Sequence, residues 1–205
     1  MKWVVGAGNH SCWLGTYESV IAKSITARVK PGMTVFDVGA HAGYYTLMLS
    51  RLVGRQGRVF AFEANPGNAT KLRRHLQVND VKNVDLIEAA VSDRSGAAFF
   101  EVDAHQDKYG YMGGLAESGV SVRTVVLDDF PVPDLIKMDI EGTETRAFAG
   151  APRLLSEHRT AIFLALHDQS LEEAPAILRR RNFLLEPVAE RETWAMPGEA
   201  TTSAS

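Results

Sequence analysis

Apolar positions along the chain change rhythm from helical to extended and back. Val20, Ile21, Ile25 and Val29 recur on one helical face and Pro31-Gly32 ends the run, which predicts a helix over 17–29. A short β-branched run at 34–38 predicts a strand, followed by a helix over 44–53 carrying Leu47, Met48 and Leu52. The same reading gives strands at 58–62 and 84–91 around a helix at 67–79. Strands at 97–103 and 120–126 flank a glycine-rich connection, 104–119, that holds Tyr109, Tyr111 and Met112. A buried strand at 135–139, a helix at 143–157, a strand at 161–166 and a helix at 171–181 follow. The end, 183–188 and 193–196, predicts a hairpin turning through Glu190-Arg191. Strands alternating with helices predict an α/β fold, with a parallel sheet covered on both faces.

The first strand ends in Asp37-Val38-Gly39, and Gly43 opens the next helix. A strand, glycine turn and helix in this order form the place where open α/β sheets bind nucleotide-like ligands. The two glycines let backbone approach a ligand without a Cβ in the way. A dinucleotide is disfavoured, because the G-x-G-x-x-G frame starting at Gly39 puts His41 and Tyr44 where glycines are needed. S-adenosylmethionine carries no phosphate and suits a G-x-x-x-G turn beside an acid better. A similar stretch near the start, Gly6-Ala7-Gly8, follows a strand of barely three residues and has Ser11 in place of its third glycine. It reads as an irregular segment folding over cofactor or substrate, not as a second nucleotide site.

Glu63 ends the second strand, 20 residues beyond Gly43, the offset from which a carboxylate reaches ribose hydroxyls. The bland alternative is a strand-end acid facing solvent or capping the helix after Pro66.

Composition narrows the class. The 205 residues suffice for one domain, taken here as 1–197 with a disordered tail over 198–205. With 45% hydrophobic and 23% charged residues the chain is of ordinary globular type. A net charge of −3 without a long basic block gives no nucleic-acid surface. The single cysteine, Cys12, excludes an internal disulfide and agrees with a reducing cytoplasm. No stretch approaches a membrane span, and the N-terminal apolar run is too short for a signal peptide.

The third cluster runs from Asp134 to Glu144. Ile136, Met138 and Ile140 alternate as in a buried strand, placing Lys137 and Asp139 on its other side. Charges on a central strand are costly unless they pair or face a cleft, so Lys137 either joins Asp139 or Glu141 in an ion pair or borders a site. Asp139 ends this strand beside the glycine turn.

The string Ile-Lys-Met-Asp-Ile-Glu-Gly-Thr-Glu at 136–144 resembles the signature of the FkbM family of methyltransferases. So do Gly15-Thr-Tyr-Glu18, the 37–46 turn, Ala90-Val-Ser-Asp93-Arg-Ser-Gly96 and Leu127-Asp128-Asp129, in the family's order. The resemblance implies a class I (Rossmann-like) methyltransferase fold, with a seven-stranded mainly parallel sheet whose last strand is antiparallel. It also implies S-adenosylmethionine as cofactor and a hydroxyl on a sugar or secondary metabolite as acceptor. Carried over by position, Asp37, Gly39, Gly43 and Glu63 bind cofactor, and the backbone around Ala90 lies near adenine. His41 departs from the small polar residue of many relatives, and either stays clear of the ligand or adds a titratable group.

A hydroxyl acceptor must lose its proton. His167 is the first candidate base, because imidazole is available near neutral pH, with Glu141 and Asp168 as alternatives. Asp139, His167 and Asp168 form a candidate divalent-metal site if their two strands are neighbours. The flap at 104–119, the N-terminal segment or a second subunit in a homodimer remain the sources of acceptor recognition. A non-catalytic S-adenosylmethionine binder and a nicotinamide-dependent oxidoreductase are the competing classes.

Overall fold

The computed structural model describes residues 1–4, 19–100, 115–116 and 118–198. Gly6-Ala7-Gly8, Cys12, Gly15–Glu18, Tyr109, Tyr111, Met112 and the tail beyond 198 lie outside the described residues.

In chain order the elements are α1 (Ser19–Arg28), β1 (Thr34–Val38), α2 (Tyr44–Val53), β2 (Arg58–Phe62), α3 (Pro66–Val78) and β3 (Val84–Ile87). There follow β4 (Ala90–Val91), β5 (Gly96–Phe100), β6 (Leu115–Ala116), β7 (Val120–Val125) and β8 (Leu135–Met138). The chain then forms α4 (Glu144–Ala149), α5 (Pro152–Ser156), β9 (Ala161–Ala165), α6 (Glu173–Arg180), β10 (Phe183–Pro187) and β11 (Glu192–Pro197). Seven strands make one sheet in the order β10-β11-β9-β8-β1-β2-β3. β3, β2, β1, β8 and β9 run parallel, and β11 enters antiparallel to both β9 and β10. This is the class I methyltransferase arrangement implied by the sequence.

Two expected elements are broken. The segment 84–91 is not one strand: Ala89 N donates to Ile87 O, and Ala90–Val91 turns away to pair with Thr124–Val125 in a second sheet, β4-β7-β5-β6. The helix expected over 143–157 is split into α4 and α5, because Pro152 has no N–H to continue the ladder. Gly150, at the break, has no room for a side chain; a Cβ there would come 2.2 Å from Ser92 O.

Both faces of the seven-stranded sheet are covered. Val35, Val59, Leu135 and Phe163 pack under α1 and α2 with Ile25, Leu49 and Trp194. Phe36, Ile136, Met138, Ile162 and Leu164 pack on the opposite face against Phe148, Leu154 and Leu178. Asp37 and Lys137 share the parity of Val35 and Leu135, so they enter the α2 face from register partners on adjacent strands. Among the described residues no helix is long and apolar enough to cross a membrane.

Candidate functional site

The parallel strands end at one edge, so the turns after β1, β2, β8 and β9 meet there. The β1–α2 turn needs three left-handed residues, Gly39 (φ 81°), His41 (φ 51°) and Gly43 (φ 96°). Their free space faces the protein as well as any ligand. A Cβ on Gly39 would come 1.8 Å from Asp139 O, and one on Gly43 would come 2.3 Å from Leu72 Cδ1. The glycines thus lock the turn against β8 and α3, a reason the motif alone does not reveal. Gly39→Ala should cost about 2–5 kcal/mol, combining left-handed backbone strain with overpacking, read as a lowered urea midpoint by circular dichroism.

Glu63, directly after β2, fastens this turn. Its Oε2 accepts from His41 N at 2.6 Å and its Oε1 from Asn65 N at 2.8 Å, while only 7% of the residue is exposed. Burial pushes its carboxyl up to about 7, against the pull of those two backbone N–H groups and the Asn68 side chain. The acid neither faces open solvent nor caps α3. That helix is capped by Asn65, whose side chain accepts from Gly67 N and Asn68 N. Ala64 packs against the small cluster of Ala90, Phe100 and Val122, so the second sheet borders the same turn. His75 supports the turn from behind: its Nδ1 donates to Ala42 O at 2.6 Å, leaving Nε2 to accept from Val4 N at 2.9 Å.

Asp37 is fully buried. Its Oδ2 accepts from Thr46 Oγ1 at 2.5 Å, and its Oδ1 lies 3.8 Å from Lys137 Nζ. Burial pushes its carboxyl up, while Lys137 and Thr46 pull it down. Lys137 Nζ also lies 3.5 Å from Asp139 Oδ2, donates to Gly39 O at 3.3 Å and lies 5.1 Å from the centre of the Tyr45 ring. The lysine therefore ties β1, β8 and the glycine turn together. His41 is held neutral, its pKa lowered to about 4 by burial and by Lys71 and Lys137, so it adds no titration near neutrality.

On the other side of Lys137 the β8 and β9 turns converge. His167 Nε2 lies 3.5 Å from Asp139 Oδ1 and 3.4 Å from Glu141 Oε2. Its Nδ1 faces Glu144 Oε1 at 3.2 Å, and a carboxylate only accepts, so the neutral ring carries its proton on Nδ1. The Glu144 bond raises the His167 pKa against burial, with Asp139 and Glu141 adding to the rise. Burial pushes Glu141 up, partly countered by His167. Glu144 is fully buried, yet the bond from His167 and the nearby Ser170 outweigh desolvation and hold its carboxyl below the ordinary value.

Asp168 is absent from this group. Its side chain is 79% exposed and pairs with Arg191 at 2.7 Å. Glu141 takes the place expected for it beside Asp139 and His167. Two further residues of the site, Glu144 and Thr46, have no role in the sequence reading. For Glu144 a signal was present, an acid in the first turn of the helix after the Asp-Ile-Glu-Gly turn. Thr46 gave none.

The sheet order, the inserted antiparallel strand and structural similarity to known enzymes make this a class I, S-adenosylmethionine-dependent methyltransferase fold. The edge of the site fits that cofactor: Glu63 is desolvated and, after accepting from His41 N, Asn65 N and the Asn68 side chain, keeps acceptor capacity for a hydroxyl donor. The chain belongs to the FkbM methyltransferase family, whose methyltransferase FkbM domain matches residues 37–188. It is 27% identical over 173 residues to the 2-O-methyltransferase NoeI of Sinorhizobium fredii, covering 73% of this chain and 70% of that protein. The FkbM methyltransferase structure from Methylobacillus flagellatus aligns with a TM-score of 0.58 and 20% identity over 82% of this chain. This chain spans 44% of that one. Aeropyrum pernix fibrillarin, solved with natively bound S-adenosyl-L-methionine, aligns with a TM-score of 0.51 and 13% identity over 86% of this chain and 73% of its own.

Proposed function

We propose that the protein methylates a hydroxyl group of a sugar or secondary metabolite. The observation that carries this reading is the Asp139–Glu141–His167 group, backed by Glu144, at the same sheet edge as Glu63 and the glycine turn. The bound sulfonium supplies an activated methyl group, and the S–C electron pair stays on sulfur when the new C–O bond forms. Glu63 accepts from the ribose hydroxyls, while Gly39, His41 and Gly43 shape the turn around the amino-acid end. Ala90 backbone borders the adenine. Asp37 acts at one remove, by fixing Lys137 and Thr46. Asp139 stands between Lys137 and His167, where it borders both the cofactor and the acceptor.

The acceptor oxygen docks against His167 Nε2 and the two carboxylates. Holding it in line with the breaking bond contributes about 7–11 kcal/mol when the atoms are in contact. His167, with Nδ1 engaged by Glu144, offers Nε2 for the departing proton, and Glu141 is the second acceptor within reach. Asp168 is too exposed and too well paired with Arg191 to share this work. The name of the NoeI relative, a 2-O-methyltransferase, supports oxygen as the accepting atom. The turn argues against a nicotinamide enzyme, since His41 fills the position where a diphosphate needs glycine.

The test is transfer of labelled methyl from S-adenosylmethionine to a panel of sugar and polyketide alcohols. A methyl ether product is expected. His167→Ala should lower turnover by about 10²- to 10⁴-fold with cofactor affinity nearly unchanged. Full turnover in that variant removes His167 from the reaction. Cofactor binding with no transfer to any acceptor would favour a non-catalytic binder.

A further inference from the structure

We propose that Asp139, Glu141 and His167 form a divalent-cation site, with Glu144 as the residue that orients its histidine. The inference depends on the methyl-transfer reading only for what the cation does, not for whether it binds. Oδ1 or Oδ2 of Asp139, a carboxylate oxygen of Glu141 and a ring nitrogen of His167 lie within 4.8 Å of one another. Nε2 is 3.5 and 3.4 Å from the two carboxylates, too long for a good N–H···O bond, which spans about 2.7–3.2 Å. Those separations match the edge of a coordination polyhedron: ligands about 2.0–2.2 Å from a metal are roughly 3.0–3.5 Å apart.

The surroundings point to a cation independently. Metal-binding histidines commonly hand their second ring N–H to a carboxylate, which aims the remaining lone pair at the ion. His167 does this through Nδ1 to Glu144 Oε1, at 3.2 Å. Glu144 is fully buried, and its Oε2 has no hydrogen-bond partner among the described residues. A negative charge is thus kept out of water directly behind the imidazole, with two more carboxylates in front. The nearby cation Lys137 is engaged by Asp37 and Asp139. A divalent ion at the front of His167 neutralises that surplus.

The turns are locked in place for the purpose. β8 and β9 are parallel neighbours, and a Cβ on Gly142 would come 2.3 Å from Gln169 Oε1, so the two turns are in direct contact. One imidazole and two carboxylates suit Mn²⁺ better than a thiolate-seeking metal. With an ion there, Nε2 is a ligand and no longer the proton acceptor; the ion is placed to bind the acceptor oxygen and acidify its hydroxyl, whose proton passes to solvent.

The full protein should be titrated with Mn²⁺ alone, with the free-ion electron paramagnetic resonance signal as the readout. One ion per chain at micromolar concentration is expected. His167→Ala and Glu141→Gln should each weaken it at least tenfold, and Glu144→Gln by about 10–100-fold, as for other outer-shell partners. His167 and Glu141 are partly exposed, so these two variants remain informative if Glu144→Gln does not fold. Absence of binding at millimolar Mn²⁺, or binding that all three variants leave intact, overturns the site. Displacement of Mn²⁺ by S-adenosylmethionine would also overturn it, because the cluster would then be answering the sulfonium charge. Tight Mn²⁺ binding without methyl transfer to any alcohol leaves the site standing and removes the reaction.

Discussion

Glu63→Ala should weaken S-adenosylmethionine binding by roughly 10- to 10²-fold in a calorimetric titration. A charge-assisted hydrogen bond to ribose is lost, worth about 1.5–3 kcal/mol. The variant also frees His41 N and Asn65 N, which Glu63 holds at 2.6 and 2.8 Å. The wild-type titration should carry a pH signature. With its carboxyl raised to about 7, Glu63 is mostly protonated at pH 6 in the free protein. Ribose donors favour the carboxylate, so affinity should rise from pH 6 to pH 8 with a proton released on binding. Stability runs the other way. A carboxyl whose folded value exceeds its unfolded one contributes stability that is fully present below about 4.5 and is lost as the pH climbs through about 7. The rise corresponds to about 3 kcal/mol at most. Glu63→Gln should flatten the pH dependence of binding. An unchanged affinity in Glu63→Ala would remove this carboxylate from the cofactor site.

The second large effect is expected on folding. Lys137→Met should destabilise the protein by about 3–5 kcal/mol, because it strands the buried charge of Asp37. Asp37 is fully enclosed, and apart from Lys137 its oxygens have the Thr46 hydroxyl as their named partner. Two further results would separate this cause from lost packing. The deficit should shrink as the pH falls, since Asp37 can then take up a proton in the folded state. The double variant Asp37→Asn/Lys137→Met should recover most of the loss, because the uncompensated charge is gone. Urea unfolding at pH 5 and pH 8 measures both. Equal destabilisation at the two pH values would rule out the stranded charge.

The sheet edge that gathers the candidate residues is legible where it depends on the order of elements along the chain. Asp37, Glu63, Asp139 and His167 each end or follow a strand, and parallel strands deliver such residues to one edge. Contacts that depend on register were not legible. Asp37 meets Lys137 only because β1 and β8 align with those two residues as partners, a hundred positions apart in the chain. The same limit puts Asp168 rather than Glu141 beside Asp139 and His167 in the expected metal group, since adjacent turn residues cannot be told apart without knowing which way each points. The glycines of the turn stand out in the sequence as a place of close approach, and their tightest neighbours are Asp139 and Leu72 within the protein. Residues 84–91 read as one strand because nothing in Val-Asp-Leu-Ile-Glu-Ala-Ala-Val discloses that its second half joins another sheet.

The hairpin formed by β10 and β11 carries a consequence for biosynthesis. β11 is an interior strand, with Trp194 completely enclosed, and it leaves the ribosome after both of its neighbours, β9 and β10. Until it arrives, β9 presents an open hydrogen-bonding edge of Ala161–Ala165 to the cell. At about 5–20 residues per second that exposure lasts roughly several seconds for each new chain. Slow codons between β9 and β11 would lengthen the interval and favour aggregation, whereas a holdase acting on nascent chains would be most useful within it.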